Sequence, residues 1–203
     1  MRIINEWIEK RNQFPFKSVL VFPRSLFAEC CKQLSELSDV AFISIEDYNG
    51  LPHLLTTADN VLNIEFDDCD VDDIAQDVKA ITEAQGEEIG EFVSRHLDKH
   101  FIIHCTAGKS RSQGVARAIL DSFPDIYQSN IFNCVNPCIT PNYAVVSVVK
   151  RYFWFHDISA WKQLIQRTRV RRTALLERRM AFGTAADTTA TVAVSSTRTG
   201  MPV

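Results

Sequence analysis

Nowhere in this chain does an apolar run approach the ~20 residues that a membrane-spanning helix needs. The first residues, Met1-Arg2-Ile3-Ile4-Asn5-Glu6, lack the basic-then-apolar order of a secretory leader, so a cytoplasmic location is the expectation. Zinc-module spacing is missing as well. Of the six cysteines, Cys30 and Cys31 are adjacent, and Cys134 and Cys138 stand four apart with no histidine close to them. Free thiols in a reducing compartment are the default for such a pattern, and neither a metal nor a cofactor is expected. No charge of one sign dominates: 22 Lys and Arg against 25 Asp and Glu leave a formal net charge of −3, which gives no global attraction to nucleic acid. The absence of internal repeats argues against a solenoid.

What is present suits one globular domain with a tail. The chain has 203 residues and is 46% apolar. Short apolar runs at 18–22, 40–45, 61–66 and 100–104 are expected as buried strands. The run at 40–45 is closed by the turn-like Asp47-Tyr48-Asn49-Gly50, and helical periodicity appears over 23–37, over about 73–97 with a break near Gly86 or Gly90, over 112–120, and over 142–156. A further helix from about Ser159 carries an Arg run. Alternation of strands and helices predicts an α/β three-layer sandwich, with a central, mostly parallel sheet of four to five strands flanked by helices. The connection at 124–141 is rich in Asn and Pro. From 183 to 203 the composition turns to Thr, Ala, Ser and Gly, the signature of a flexible tail. The expected domain is therefore 1–172, with a helix end at 173–182.

Chemistry concentrates in His104-Cys105-Thr106-Ala107-Gly108-Lys109-Ser110-Arg111-Ser112. A Cys followed six residues later by Arg arises readily by chance, but its context does not. An apolar strand runs straight into the Cys, a Gly lies inside the loop, and a helical pattern starts at Ser112. A loop between a strand end and a helix start points successive backbone N–H groups inward and forms an anion cradle. Thr106, Ala107, Gly108, Lys109 and Ser110 would supply those donors, and Gly108 permits close approach. The same donors favour a thiolate at Cys105. The planar fork of Arg111 suits two phosphoryl oxygens at once. Ser112 can donate to the Cys105 sulfur when it leaves, and His104 is expected to orient the loop rather than act as a base.

The segment resembles the signature of the protein tyrosine phosphatase superfamily in its dual-specificity branch, His-Cys-x-x-Gly-x-x-Arg-Ser or -Thr. Every fixed position is matched, by His104, Cys105, Gly108, Arg111 and Ser112. The resemblance implies hydrolysis of phosphomonoesters through a phosphocysteine. It also implies an Asp acid on a loop some thirty to forty residues before the Cys. Ile64-Glu65-Phe66-Asp67-Asp68 resembles the Pro-Phe-Asp-Asp stretch of small members, in which the second Asp is the acid. Asp68 lies 37 residues before Cys105 (105 − 68), with Asp67 and Asp70 in reserve. Pro141-Asn142 resembles the pair that opens a late helix in these proteins.

The expected partner is a phosphorylated protein, at Tyr or at Ser/Thr, acted on by a monomer with no nucleic-acid or membrane requirement. Other readings stay open: an RNA 5′-phosphatase, a phosphoinositide phosphatase, a catalytically silent phosphate-binding module, or a rhodanese-like sulfurtransferase. Lys109 is one loop lysine where lipid phosphatases usually have two. From Glu65 to Glu91 eleven acidic residues face a single Lys79, and from Arg167 to Arg179 six Arg face only Glu177. Helix capping by Asp72 and Asp73 and a solvated helix end account for these runs. Cys69, Cys134 and Cys138 are candidates to bridge an oxidised Cys105.

Overall fold

The computed structural model describes residues 2–13, 16–70, 77–128 and 140–156, together with Val170, Ala174 and Glu177. The Arg positions of the 167–179 run, the tail from 183, Asp72, Asp73, Cys134 and Cys138 lie outside the described residues. In chain order the elements are α1 (Arg2–Lys10), β1 (Lys17–Pro23), α2 (Arg24–Ser35), β2 (Val40–Glu46), β3 (Val61–Glu65), α3 (Glu83–Arg95), β4 (His100–Cys105), α4 (Arg111–Ser122), β5 (Tyr127–Gln128) and α5 (Tyr143–Phe155).

The strands form one five-stranded sheet in the order β3-β2-β4-β1-β5. Every strand pairing is parallel, with Val21 opposite Ile103, Ile43 opposite Ile103 and Ile43 opposite Leu62. Parallel strands are covered on both faces and so read as continuous apolar runs. All seven residues of β2 and all six of β4 are buried. Alternate side chains divide between two cores. Leu20, Phe22, Phe42 and Ile102 pack with Ile4 and Trp7 of α1 and Phe27, Cys30 and Leu34 of α2. Val19, Val21, Ile43, Ile45, Phe101 and Ile103 pack with Ile89, Phe92 and Val93 of α3, Val115 and Ile119 of α4, and Val145, Val149 and Phe153 of α5. The chain is thus a three-layer α/β sandwich.

Three elements depart from the sequence expectation. Helix α3 starts later than the 73–97 pattern implied, because Thr82 and Gln85 form a capping box in which Thr82 Oγ1 accepts from the Gln85 N–H at 3.2 Å. Nor does it break at its glycines: Gly86 and Gly90 lie one turn apart on the face that meets α5, where a Cβ would strike Val148 and the Tyr152 ring. They are there for close helix packing. The apolar face of α1 and the two-residue β5, within the connection expected at 124–141, were too short or too polar to stand out.

Two histidines are buried in the sheet. His100 Nδ1 accepts the Ser18 N–H at 2.9 Å, and its ring stands edge-on to Trp7. His104 stacks on Phe27 at 4.3 Å between ring centroids. Burial holds each imidazole neutral, pushing its pKa from 6.5 down to about 3. The unfolded chain therefore binds two protons that the folded chain refuses as pH falls below 6.5. Stability is fully present above that value and drains by about 1.4 kcal/mol per pH unit per histidine on the way down. Urea unfolding at about pH 7 and about pH 5 should differ by roughly 4 kcal/mol. An unchanged unfolding free energy would show that these rings accept protons inside the fold.

Candidate active site

The carboxyl end of β4 delivers Cys105 into the mouth of α4. The cysteine is buried, with only 2% of its surface exposed. Beside it, in register, β1 ends at Pro23. Gly108 has φ +64°, and a Cβ there would lie 2.5 Å from the Pro23 nitrogen and 2.7 Å from the Phe22 carbonyl carbon. Only glycine lets the loop press onto the end of β1 at this point. The turn aims the Gly108 N–H back at Cys105, where it donates to Sγ at 3.2 Å. The Ser112 hydroxyl, on the first turn of α4, lies 3.0 Å from the same sulfur. Donors outside the loop take its carbonyls. The Arg24 N–H donates to Thr106 O, the Thr140 N–H to Lys109 O and the Asn142 N–H to Ser110 O. Thr106, Ala107 and Lys109 are exposed, Ser110 is half-buried, and the positive end of α4 lies beneath them.

Arg111 lies under the rim, 3% exposed. Nη1 donates to the Phe66 carbonyl at 2.7 Å, and Nη2 donates to Thr106 Oγ1 at 3.1 Å. Nη2 also forms an ion pair with Asp47 Oδ1 at 2.7 Å, while the Thr106 hydroxyl donates to Asp47 Oδ2 at 2.9 Å. Nε is buried with no hydrogen-bond partner. A buried guanidinium with an uncommitted donor can take an anion as its partner.

The three acidic candidates differ in what they do. Both oxygens of Asp67 are taken by backbone donors, the Tyr48 N–H at 3.0 Å and the Lys79 N–H at 2.7 Å, so it staples two segments. Asp68 reaches over the loop: Oδ1 accepts from Ser110 Oγ at 2.6 Å and from Asn142 Nδ2 at 3.2 Å. Asp70 is exposed and shares with Asp68 an open groove of about 350 Å³ lined by Ser110, Thr140, Asn142 and Tyr143. Cys69 is half-buried on the same groove. His104 lies beneath the loop, and neither of its ring nitrogens has a hydrogen-bond partner. Its ring packs against Phe27 of α2.

Sequence reasoning did not single out Asp47, nor the side chain of Thr106, from which only backbone donors were expected. Asn142 was marked for opening a helix. It does so, its Oδ1 accepting from the Val145 N–H at 3.1 Å, but it also holds Asp68. Polar groups next to strand ends were the available signal.

No family model and no curated protein matches the chain. Solved structures do. The human tyrosine phosphatase-like serine/threonine/tyrosine-interacting protein is 18% identical at a TM-score of 0.43, over 66% of this chain and 89% of that one. Human DUSP28 is 18% identical at 0.41, over 67% and 91%, and DUSP15 is 17% identical at 0.42, over 79% and 91%. Likeness at this level carries no argument about chemistry.

Because the neighbours of Gly108 are backbone atoms that cannot swing aside, Gly108→Ala should lift the loop off β1 and withdraw the N–H from Cys105. The expected result is loss of oxyanion binding, read as loss of the protection that inorganic phosphate gives Cys105 against alkylation by iodoacetate. Undiminished protection in the variant would show that the loop tolerates a Cβ there.

Proposed function

We propose that the chain hydrolyses phosphomonoesters through a phosphocysteine at Cys105, with phosphoproteins as the substrate class. The observation that carries this reading is the convergence on one sulfur of the Gly108 N–H and the Ser112 hydroxyl, with the fork of Arg111 beside them. In the first step the Cys105 thiolate attacks phosphorus while the P–O bond to the leaving group breaks. Asp68, as the acid, gives its proton to the departing oxygen. Arg111 and the loop N–H groups hold the three equatorial oxygens, whose charge is spread in the transition state. In the second step water attacks the phosphocysteine and passes a proton to the Asp68 carboxylate. The S–P bond breaks, and the Ser112 hydroxyl supports the thiolate as it leaves. The sum is ester plus water giving alcohol plus inorganic phosphate, with no other reactant.

Two features support Asp68 over its neighbours. Asp67 has no free oxygen, whereas Asp68 sits at the rim with contacts on Oδ1 alone. The surroundings support a protein substrate. Asp68 and Asp70 at the rim outnumber Lys109, the Asp47 charge being paired with Arg111, and such a rim would repel RNA and polyphosphorylated headgroups more than a phosphate on a neutral or basic peptide. Turnover on a panel of phosphotyrosine, phosphoserine and phosphothreonine peptides, an RNA 5′-phosphate and a phosphoinositide separates these classes. Preference for either of the last two would move the substrate class.

Rapid acid quench with labelled aryl phosphate should trap phosphate on Cys105, and Cys105→Ser should abolish turnover. Full activity in that variant would sink the mechanism. Asp68→Asn should lower kcat on phenyl phosphate by about 10²–10⁴-fold and far less on an activated aryl phosphate, whose leaving group departs as an anion. Equal losses on both substrates would remove Asp68 from the acid role and pass it to Asp70.

A further inference from the structure

In the proposed reaction Asp68 hands its proton to the bridging oxygen. Whatever that oxygen is attached to therefore lies on the Asp68 side of the loop, in the open groove of about 350 Å³ that Asp68 shares with Ser110, Thr140, Asn142 and Tyr143. Among the described residues Tyr143 brings the one aromatic ring to this groove, and it is 73% exposed. The fold has no need of a ring there. Tyr143 is the first residue of α5, whose buried face is Val145, Val146, Val149 and Phe153. The helix is started by its neighbour Asn142, whose Oδ1 accepts the Val145 N–H at 3.1 Å.

A ring exposed on its own is ordinary; this one stands out for what its backbone is fastened to. The Asn142 N–H donates to Ser110 O at 3.2 Å, and Asn142 Nδ2 donates to Asp68 Oδ1 at 3.2 Å. Tyr143 is thus carried on a helical turn tied at once to the loop and to the acid. The other exposed tyrosine, Tyr48, differs on both counts. It lines a separate groove with His53, Glu65 and Glu88, and the Lys79 ammonium already stands over its ring at 5.9 Å from the centroid.

We infer that Tyr143 is a substrate-binding residue that reads the group behind the phosphate, its ring stacking on the ring of a phosphotyrosine as the bridging oxygen meets Asp68. In an aryl phosphate that oxygen is bonded directly to the ring, so the ring is the first group beyond the acid. In phosphoserine the same place holds one tetrahedral carbon and then peptide backbone, which present no face to stack on. A stacked or edge-on pair of rings is worth about three- to tenfold in affinity. Tyr143 makes and breaks no bond, so it holds the ground state and the transition state alike. Its loss is expected in KM and not in kcat.

The inference rests on the phosphatase reading, and the test separates the two. In the full chain, Tyr143→Ala and Tyr143→Phe are compared with the parent protein on phenyl phosphate and on one peptide sequence carrying phosphotyrosine or phosphoserine, with thermal melting as the check on folding. Tyr143→Ala is expected to raise KM for the two aryl substrates by about three- to tenfold, with kcat unchanged, and to leave both constants for the phosphoserine peptide as they are in the parent. Tyr143→Phe keeps the ring and should match the parent throughout. Equal changes on aryl and alkyl substrates, or none on either, in a folded Tyr143→Ala would overturn the inference. So would a loss in Tyr143→Phe as large as that in Tyr143→Ala, because the hydroxyl and not the ring would then make the contact. Should Tyr143→Ala fail to fold, Tyr143→Leu, which keeps bulk without an aromatic face, takes its place with the same expectation. A parent that hydrolyses the phosphoserine peptide and neither aryl substrate would overturn this inference and leave the phosphatase reading standing. Turnover of none of the three would overturn the phosphatase reading, and this inference with it.

Discussion

A full positive charge buried to 3% exposure needs acceptors around it, and the loops of this molecule are arranged about that need. Arg111 cannot shed its proton, so the cost of burial is offset by geometry alone. The Phe66 carbonyl comes from the segment after β3, Asp47 from the turn after β2, and Thr106 from the loop after β4. Three adjacent strand ends thereby converge on one guanidinium. Removing any of these acceptors would leave an underpaired charge in the floor of the site, which links the stability of the cradle to its chemistry.

The same economy appears in Asp67 and Asn142. Asp67 spends both oxygens on backbone N–H groups of residues 48 and 79, holding the turn after β2 to the stretch that precedes α3. Asn142 needs an acceptor and a donor in one side chain. Its Oδ1 caps α5, its Nδ2 reaches Asp68, and its backbone N–H binds Ser110. Asp or Ser would cap the helix equally well, but ionised Asp offers no donor to Asp68. Helix α5, whose entrance carries this residue, is set close against α3 by Gly86 and Gly90 and against α4 by Gly114. Packing between helices remote from the cysteine thus fixes where the acidic segment lies relative to the loop.

The sheet and the loop were legible because their signals are local. Continuous apolar runs mark buried parallel strands, and β2 and β4 are buried along their whole length. The spacing of Cys105, Gly108, Arg111 and Ser112 encodes one strand-loop-helix turn. Contacts made across the fold left no such trace. Asp47 lies 64 residues from Arg111 (111 − 47) and Asn142 lies 74 from Asp68 (142 − 68), and nothing in the composition around either one announces the partner. Helix α3 was misjudged at its start because acidic residues suit both a solvated loop and a first helical turn, whereas the deciding Thr82–Gln85 box is only two side chains. Glycine misled in the opposite sense: propensity marks Gly86 and Gly90 as breakers, but the need for α5 to approach prevails over it.

Strand order determines what the cradle can reach. β4 is central in β3-β2-β4-β1-β5, so the loop at its carboxyl end is walled by the ends of β2 on one side and β1 on the other. The β1 wall ends at Pro23 and Arg24, while the ends of β2 and β3 carry Glu46, Asp47 and Glu65. Glu46 itself is buried and paired with Arg24 at 2.9 Å, and burial pushes its carboxyl upward in pKa. The exposed carboxylates beyond it act at longer range than the cradle does. Loop N–H groups are dipoles whose attraction fades within a few ångströms, while a charge on the rim is felt over about a Debye length, near 8 Å at physiological salt. An approaching polyanion meets the rim first. On the phosphoprotein reading proposed above, a single phosphate borne on a neutral or basic surface would bring compensating charge to the rim before it reaches the donors.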